Sequence, residues 1–352
     1  MSKEHSIAVI PGDGIGEEVV REGLKVLKRV SEVYGLKIRT NVLPFGSEHY
    51  LKTGEIFPDS AFNELKSMSA VLLGAIGDPR VQEVGKIEHG IIMRMRVELD
   101  LYVNLRPIKL YAEHLCPLKD KKPADVDLVI VRENTEDAYT GPYGFVHKGD
   151  QNEVAMQTMV YTRAGTERII RYAYELCKKR NKRRRLTLID KANAVRAHDL
   201  WARLMVEVGK DYPEVEQDHA YIDAACMWMV KNPEWFDVGV APNLFGDIIT
   251  DLGAMIQGGM GIAASGNIHP GRVSMFEPIH GSAPKYKGQN KANPTATIMA
   301  VSMMLDYLGE AKAAQAIERT VGELLASKRI KSLQAGVHKT DEIGDLVVSS
   351  LK

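Results

Sequence analysis

Short runs of aliphatic and β-branched residues, each followed by an amphipathic segment of helical length, recur along the 352-residue chain and constrain its fold more than any other feature. Residues 7–10 precede a helical pattern over 17–34, residues 186–189 precede one over 198–208, and residues 238–241 precede one over 247–256. Further strand-like runs stand at 70–73 and 128–131. This alternation predicts an α/β fold. The length suits two lobes, and the chain carries no fixed-period repeat, low-complexity tract or Gly/Ser linker, so the lobes should be built on shared or continuous elements.

The alternation breaks between Tyr139 and Tyr161, where Thr-Gly-Pro-Tyr-Gly and Lys-Gly-Asp flank residues 145–147 and 154–161. Turn residues between two extended runs predict a β-hairpin, either an arm that reaches a partner subunit or an ordinary surface hairpin. Residues 178–185 hold seven basic side chains in eight, and their place between a helical segment and a strand reads as solvated cations at a helix C-terminus. Across the chain 46 basic residues balance 46 acidic ones, which removes the positive field expected of a nucleic-acid or acidic-membrane binder and leaves small metabolites as partners. Cys116, Cys177 and Cys226 form no CxxC pair, against both a disulfide framework and a zinc-thiolate site. The opening Met-Ser-Lys-Glu-His lacks an apolar signal core, and no stretch reaches the roughly 20 apolar residues that span a bilayer. A soluble, cytoplasmic protein is expected.

Several motifs could carry chemistry. Ile10-Pro-Gly-Asp-Gly-Ile-Gly16 joins a strand to a helix; it is not a GxGxxG fingerprint, and its glycines would allow a tight turn and the close approach of a ligand. Asn243-Leu-Phe-Gly-Asp-Ile-Ile-Thr-Asp251 sets Asp247 and Asp251 four apart at the expected start of a helix. On one face they offer paired hard oxygens to Mg²⁺ or Mn²⁺; in a first turn they would complement the helix dipole instead. Asp223, after the strand-like residues 219–222, is a third candidate ligand or a helix cap. Arg96, Arg106 and Arg132 could grip the carboxylates of a di- or tricarboxylate with their guanidinium forks, or form separate surface ion pairs. Lys191 and Tyr139 are candidate proton carriers.

Together with Asn104-Leu-Arg-Pro107, Val131-Arg-Glu-Asn-Thr-Glu136, Asp190-Lys-Ala-Asn193 and Glu277-Pro-Ile-His-Gly-Ser-Ala-Pro284, these motifs closely resemble the β-decarboxylating dehydrogenases, the family of isopropylmalate and isocitrate dehydrogenases, in order from Ser6 nearly to the C-terminus. The resemblance implies a two-lobed α/β fold distinct from the Rossmann fold, and a homodimer with its site between lobes. Residues 1–101 and 258–352 would form the larger, cofactor-binding lobe. Residues 102–257 would form the smaller one, with the dimer interface, the β-arm near 139–161 and the metal ligands.

Carried over residue by residue, Arg96, Arg106 and Arg132 would hold the substrate's carboxylates, and Asp247, Asp251 and the other subunit's Asp223 would hold Mg²⁺ or Mn²⁺. Lys191 would take the hydroxyl proton, and Tyr139 would protonate the enolate after decarboxylation. Ile76, Glu277, His280, Gly281, Ser282, Ala283, Lys285, Tyr286 and Asn293 would bind the nicotinamide cofactor. Where isocitrate-type members carry Ser and Asn, this chain has Gly90 and Ile92. Ile91, Ile92 and Met93 would favour an apolar substituent, which points to 3-isopropylmalate. Asn134 and Arg94 keep D-malate, tartrate, isocitrate and homoisocitrate open, with Arg94 adding a charge near the pocket. Lys285-Tyr286 follows Pro284 where NAD-using members place an Asp, so NADP is expected ahead of NAD. A regulatory subunit that had lost catalysis would lack members of the arginine, lysine, tyrosine or carboxylate set; all are present here.

Overall fold

The computed structural model describes residues 4–352, which divide into two compact units. The first comprises residues 4–101, 109–123 and 254–352, and the second residues 102–108 and 124–253. This differs from the expected division at 109–123 and 254–257. The reason is local: the Lys109 N–H donates to Gln257 Oε1 (2.8 Å), and the Tyr111 hydroxyl donates to Glu318 Oε1 (3.1 Å) on the helix Ala311–Ala326, tying this segment to the first unit.

In the first unit the strands are β1 (Glu4–Gly12), β2 (Lys37–Val42), β3 (Ala70–Ala75), β11 (Ala264–Ile268) and β12 (Met275–Pro278), in the order β2-β1-β3-β12-β11. β1 runs parallel to β2 and β3, with Val9 opposite Leu72, whereas β11 and β12 are antiparallel. That antiparallel pair separates the unit from an all-parallel dinucleotide-binding sheet. Ile7, Ala8, Val9 and Ile10 are all fully buried, as a continuous apolar run requires of a strand covered on both faces. Ile7, Val9 and Ile10 each contribute roughly 1.5–3 kcal/mol by leaving water. The helix Gly16–Tyr34 stops at Gly35, which adopts the left-handed conformation (φ 66°) that glycine enters without a steric penalty. The helix Thr295–Tyr307 is buried along almost its whole length.

The second unit holds β4 (Val103–Lys109), β5 (Asp127–Glu133), β8 (Arg185–Asp190), β9 (Glu216–Tyr221) and β10 (Val238–Ala241), ordered β4-β5-β10-β8-β9. β5, β10, β8 and β9 run parallel, so the C-terminal ends of these strands present Arg132, Asp190 and Tyr221 at one end. The expected hairpin is present but shorter, with β6 (Tyr143–Val146) antiparallel to β7 (Val154–Gln157). Its Tyr143, Phe145, Val146, Val154 and Met156 are exposed. The basic run lies where expected, around the left-handed C-cap Asn181 of the helix Arg163–Arg180. Arg180 pairs with Asp127 and Asp237, Lys178 with Glu214 and Arg185 with Glu216, so much of its charge is already met by carboxylates. No helix among the described residues is long and apolar enough to cross a membrane.

Candidate active site

In the second unit Arg106 on β4, Arg132 near the end of β5, and Asp247 and Asp251 on the helix Asn243–Ile256 come together. Arg106 and Arg132 are only 7% and 2% exposed, which demands compensation for buried charge. Asp247 supplies it, pairing with Arg132 and with Arg106 at 3.2 Å, while Asp251 lies 3.6 Å from Arg106. Neutral oxygens accept further guanidinium hydrogens. Arg132 Nε and Nη2 donate to Asn243 Oδ1 (2.9 and 2.7 Å), and Arg106 donates to Asn104 Oδ1 (3.0 Å) and Thr250 Oγ1 (2.7 Å). The Tyr139 hydroxyl donates to Asp247 Oδ2 (2.7 Å), and its ring lies under the Arg132 guanidinium.

The helix begins at Asn243, so Asp247 and Asp251 lie one and two turns inside it, and no acid stands in its first turn. This corrects the expectation that they open the helix and excludes dipole complementation as their reason. Gly246, in the same motif, admits the arginine: a β-carbon there would meet Arg132 Cγ at 2.6 Å. Burial pushes the Asp251 carboxyl above the usual carboxylate range, with Asp247 adding to the rise against Arg106 and Arg132. Burial and Asp247 push the Tyr139 phenol up to about 12. Asn104, Asn243 and Thr250 were not singled out by sequence reasoning, although all three lie within motifs that were.

At the ends of β8 and β9, Lys191 pairs with Asp223 of the same chain. Asp223 is in the first turn of the helix Ile222–Lys231, with Tyr221 at the cap position, so it is not the N-cap. The hydrogen bond from Lys191 holds its carboxyl below the ordinary range.

In the first unit Arg96, 9% exposed, donates from Nε to Asn267 Oδ1 (2.9 Å) and from Nη2 to Glu277 Oε1 (3.2 Å). Glu277, expected as a cofactor contact, therefore also anchors this arginine. The turns before Arg96 correct two expectations. Ile91 is fully buried within the unit's core, leaving the half-buried Ile92 and Met93 as the apolar side chains of this stretch with exposed surface. Arg94 pairs with Asp59 and Glu98, donates to the Phe57 carbonyl and lies 4.6 Å from the Phe62 ring centroid, so its charge is already met by acids of its own surface. At Gly90 a β-carbon would meet Ile56 Cγ2 at 2.6 Å.

The glycine-rich turn also differs from expectation in what approaches it. A β-carbon at Gly14 would strike the Ser282 carbonyl oxygen at 2.0 Å, and one at Gly12 the Ala75 oxygen at 2.0 Å, so the chain itself makes the close approach. Asp13, buried in this turn, accepts hydrogen bonds from Ser47 N (2.7 Å), Ser47 Oγ (2.7 Å) and Gly77 N (2.8 Å), while Ser282 Oγ donates to the Gly77 carbonyl. These bonds draw Ile76, Ser282 and Ala283 to one place.

Against known proteins, the profile of the Isocitrate/isopropylmalate dehydrogenase family matches residues 6–347. The chain belongs to this family. A 3-isopropylmalate dehydrogenase of Thermobifida fusca is 49% identical over 342 residues, covering 96% of this chain and 95% of the relative. One of Frankia casuarinae is 47% identical, covering 92% and 93%. The crystal structure of isocitrate dehydrogenase from Methylococcus capsulatus superposes with a TM-score of 0.88 at 34% identity, covering 99% of both chains.

Members of the isocitrate/isopropylmalate dehydrogenase family are decarboxylating oxidoreductases that use a nicotinamide cofactor and a divalent cation. The donor chemistry here fits both groups. Asp247 and Asp251 offer hard oxygens of the kind Mg²⁺ and Mn²⁺ prefer. Among the described residues no three such side chains converge, so Asp223 stands apart from that pair. For the cofactor, His280 Nε2 is buried without a hydrogen-bond partner, and burial lowers the imidazole's affinity for a proton. Ala283 is left-handed (φ 39°) and Gly281 exposed, while Lys285 lies exposed over the Tyr286 ring, which packs on Ile15 and Val19. Asn293, the residue before the cap position Pro294, accepts a hydrogen bond from Thr295 N (2.9 Å) at the start of the helix Thr295–Tyr307.

Proposed function

We propose that this protein oxidises 3-isopropylmalate at its hydroxyl-bearing carbon and releases the β-carboxylate as CO₂, giving 2-oxo-4-methylpentanoate and a reduced nicotinamide. The observation that carries the substrate is the apolar stretch around Gly90. Ile56 fills the space a side chain at position 90 would need, and Ile92 and Met93 offer no donor to a third carboxylate. Burying an alkyl substituent there gains about 0.8 kcal/mol per methylene. The names of the Thermobifida and Frankia relatives support the same substrate.

Charge balance supports a dicarboxylate bound with a dication. Arg106 and Arg132 offset Asp247 and Asp251, so a ligand that preserves neutrality brings two negative and two positive charges together. Arg96, Arg106 and Arg132 hold the carboxylates. Asp247, Asp251 and the partner subunit's Asp223 would hold Mg²⁺ or Mn²⁺, which would supply Lewis acidity, and the nicotinamide would supply the hydride acceptor. Lys191 takes the hydroxyl proton, and Tyr139 returns a proton to the carbon left by CO₂. Because Lys191 and Asp223 are paired in one chain, they act from the same subunit of a homodimer. The exposed hairpin Tyr143–Gln157 and the exposed Met227, Val230 and Trp235 support such a dimer. Lys285 favours NADP through its 2′-phosphate, with NAD as the second reading.

The test is the absorbance of reduced nicotinamide with Mn²⁺, NADP⁺ or NAD⁺, and 3-isopropylmalate, D-malate, tartrate, isocitrate or homoisocitrate, with light scattering to give the oligomeric state. Preference for 3-isopropylmalate with NADP⁺ is expected. Preference for a tricarboxylate or for D-malate overturns the substrate, and no turnover of any of them overturns the enzymatic reading in favour of a regulatory subunit.

A further inference from the structure

Behind Lys191 runs a partly buried line of hydrogen bonds that the proposed chemistry does not use. The Lys191 backbone N–H donates to His198 Nδ1 (3.0 Å), and His198 Nε2 lies 2.9 Å from the Tyr161 hydroxyl. That hydroxyl donates to Asp137 Oδ1 (2.6 Å), and Asp137 Oδ2 accepts the Leu244 N–H (2.9 Å) in the first turn of the helix that carries Asp247 and Asp251. We propose that His198, Tyr161 and Asp137 are positioning residues that anchor the Lys191 turn, which serves the site completed by the partner subunit, to the first turn of the helix Asn243–Ile256 of its own chain. The proposal rests on the role given above to Lys191.

The direction of each bond is fixed by its neighbours. An N–H pointing at Nδ1 requires a lone pair there, so a neutral His198 carries its hydrogen on Nε2 and gives it to the tyrosine oxygen. Tyr161 then has its own hydrogen left for Asp137. Burial disfavours the charged His198, and burial together with Asp137 keeps the Tyr161 proton in place, so both groups hold the protonation states the line requires. Packing enforces the same order: the His198 ring meets Tyr161 edge-on at 5.1 Å and Phe245 at 5.4 Å, and His198 is fully buried.

Asp137 shows that the arrangement overrides local preference. It is 1% exposed and holds a left-handed backbone (φ 77°) that a β-carbon makes unfavourable. Its carboxylate also accepts the Ala138 N–H (2.7 Å). A strained backbone that lets one carboxylate reach a tyrosine, the next residue and a helix N-terminus ties these elements together. A lysine whose backbone is bonded into this line has little freedom to drift, and misplacement by about 1 Å costs roughly 100-fold in rate.

The experiment compares kcat and KM of Tyr161→Phe, His198→Leu and His198→Asn with wild type and with Lys191→Met, each checked for fold by circular dichroism. Tyr161→Phe and His198→Leu should lower kcat about 10- to 100-fold with KM near the wild-type value. His198→Asn, which restores an acceptor to the Lys191 N–H, should recover about 3- to 10-fold of that loss. If His198→Leu does not fold, Tyr161→Phe, which removes a single oxygen, decides the matter. Wild-type kcat in folded Tyr161→Phe, or a loss expressed wholly in KM, overturns the positioning role while Lys191→Met remains inactive. Activity in Lys191→Met overturns the role of the lysine itself.

Discussion

Arg96 and Arg132 are both more than nine-tenths buried, yet they are held in different ways. Arg96 is fixed by Asn267 and by Glu277, and Asn267 in turn donates to the same Glu277 oxygen (2.8 Å), forming a closed triangle. Arg132 is braced by Asn243 but neutralised by Asp247, a carboxylate that also takes Arg106 and Tyr139 and is the proposed ligand of a cation. In the proposed chemistry the first guanidinium would keep its partner when substrate arrives, whereas the second would share a partner divided between arginines and metal. One arrangement is a closed anchor. The other would be an exchangeable one, with the ligand and the cation together preserving its neutrality.

The largest expected effect follows from breaking the exchangeable side. Asp247→Asn leaves two buried guanidinium groups short of a negative charge and removes a metal oxygen. Stability should fall by about 3 kcal/mol in urea titrations, and turnover should drop at least about 100-fold with loss of Mn²⁺ activation. Glu277→Gln keeps an acceptor for Arg96 and removes only charge, so a smaller loss of about 1–2 kcal/mol is expected. Equal losses in the two variants would erase the distinction drawn here.

The acidity of Asp251 sharpens it further. Its folded-state pKa is raised, so the protonated carboxyl is the favoured form at low pH; Asp251 then adds stability to the metal-free protein that disappears as pH rises through the folded value. Protons should therefore compete with Mn²⁺ at a higher pH than at an ordinary aspartate, and calorimetry in buffers of different ionisation enthalpy should show proton release growing as pH falls. The smallest effect belongs to Arg94→Ala. Its partners are exposed acids, so stability should change by about 1 kcal/mol or less and kcat/KM not at all; a shift in substrate preference would return Arg94 to the pocket.

The fold class was legible because period and composition are local properties. Residues 7–10 read as a strand ahead of a helix, and the turn chemistry of 139–161 announced a hairpin. The helix carrying Asp247 began a turn early because Asn243 is held from outside, by Arg132 and by the Glu136 carbonyl, which no helix rule contains. Ile91 and Arg94 were misplaced for a related reason. A π-helical turn at His89–Met93 changes the angular spacing of the residues within it and after it, so spacing alone could not say which side chains face the core. The line from Lys191 to Leu244 was invisible because its members stand at positions 137, 161, 191, 198 and 244 and share no period.

The contact between Gly90 and Ile56 restricts the order in which a descendant of this sequence could change. A serine at position 90 puts its β-carbon 2.6 Å from Ile56 Cγ2, inside the closest approach of two such carbons. The route toward a polar loop thus passes through a smaller residue at 56, a step that opens space before anything fills it and carries no benefit until the second change arrives. Two substitutions that are harmful or idle alone become useful together, and selection acting one mutation at a time tends to leave such a pair where it is.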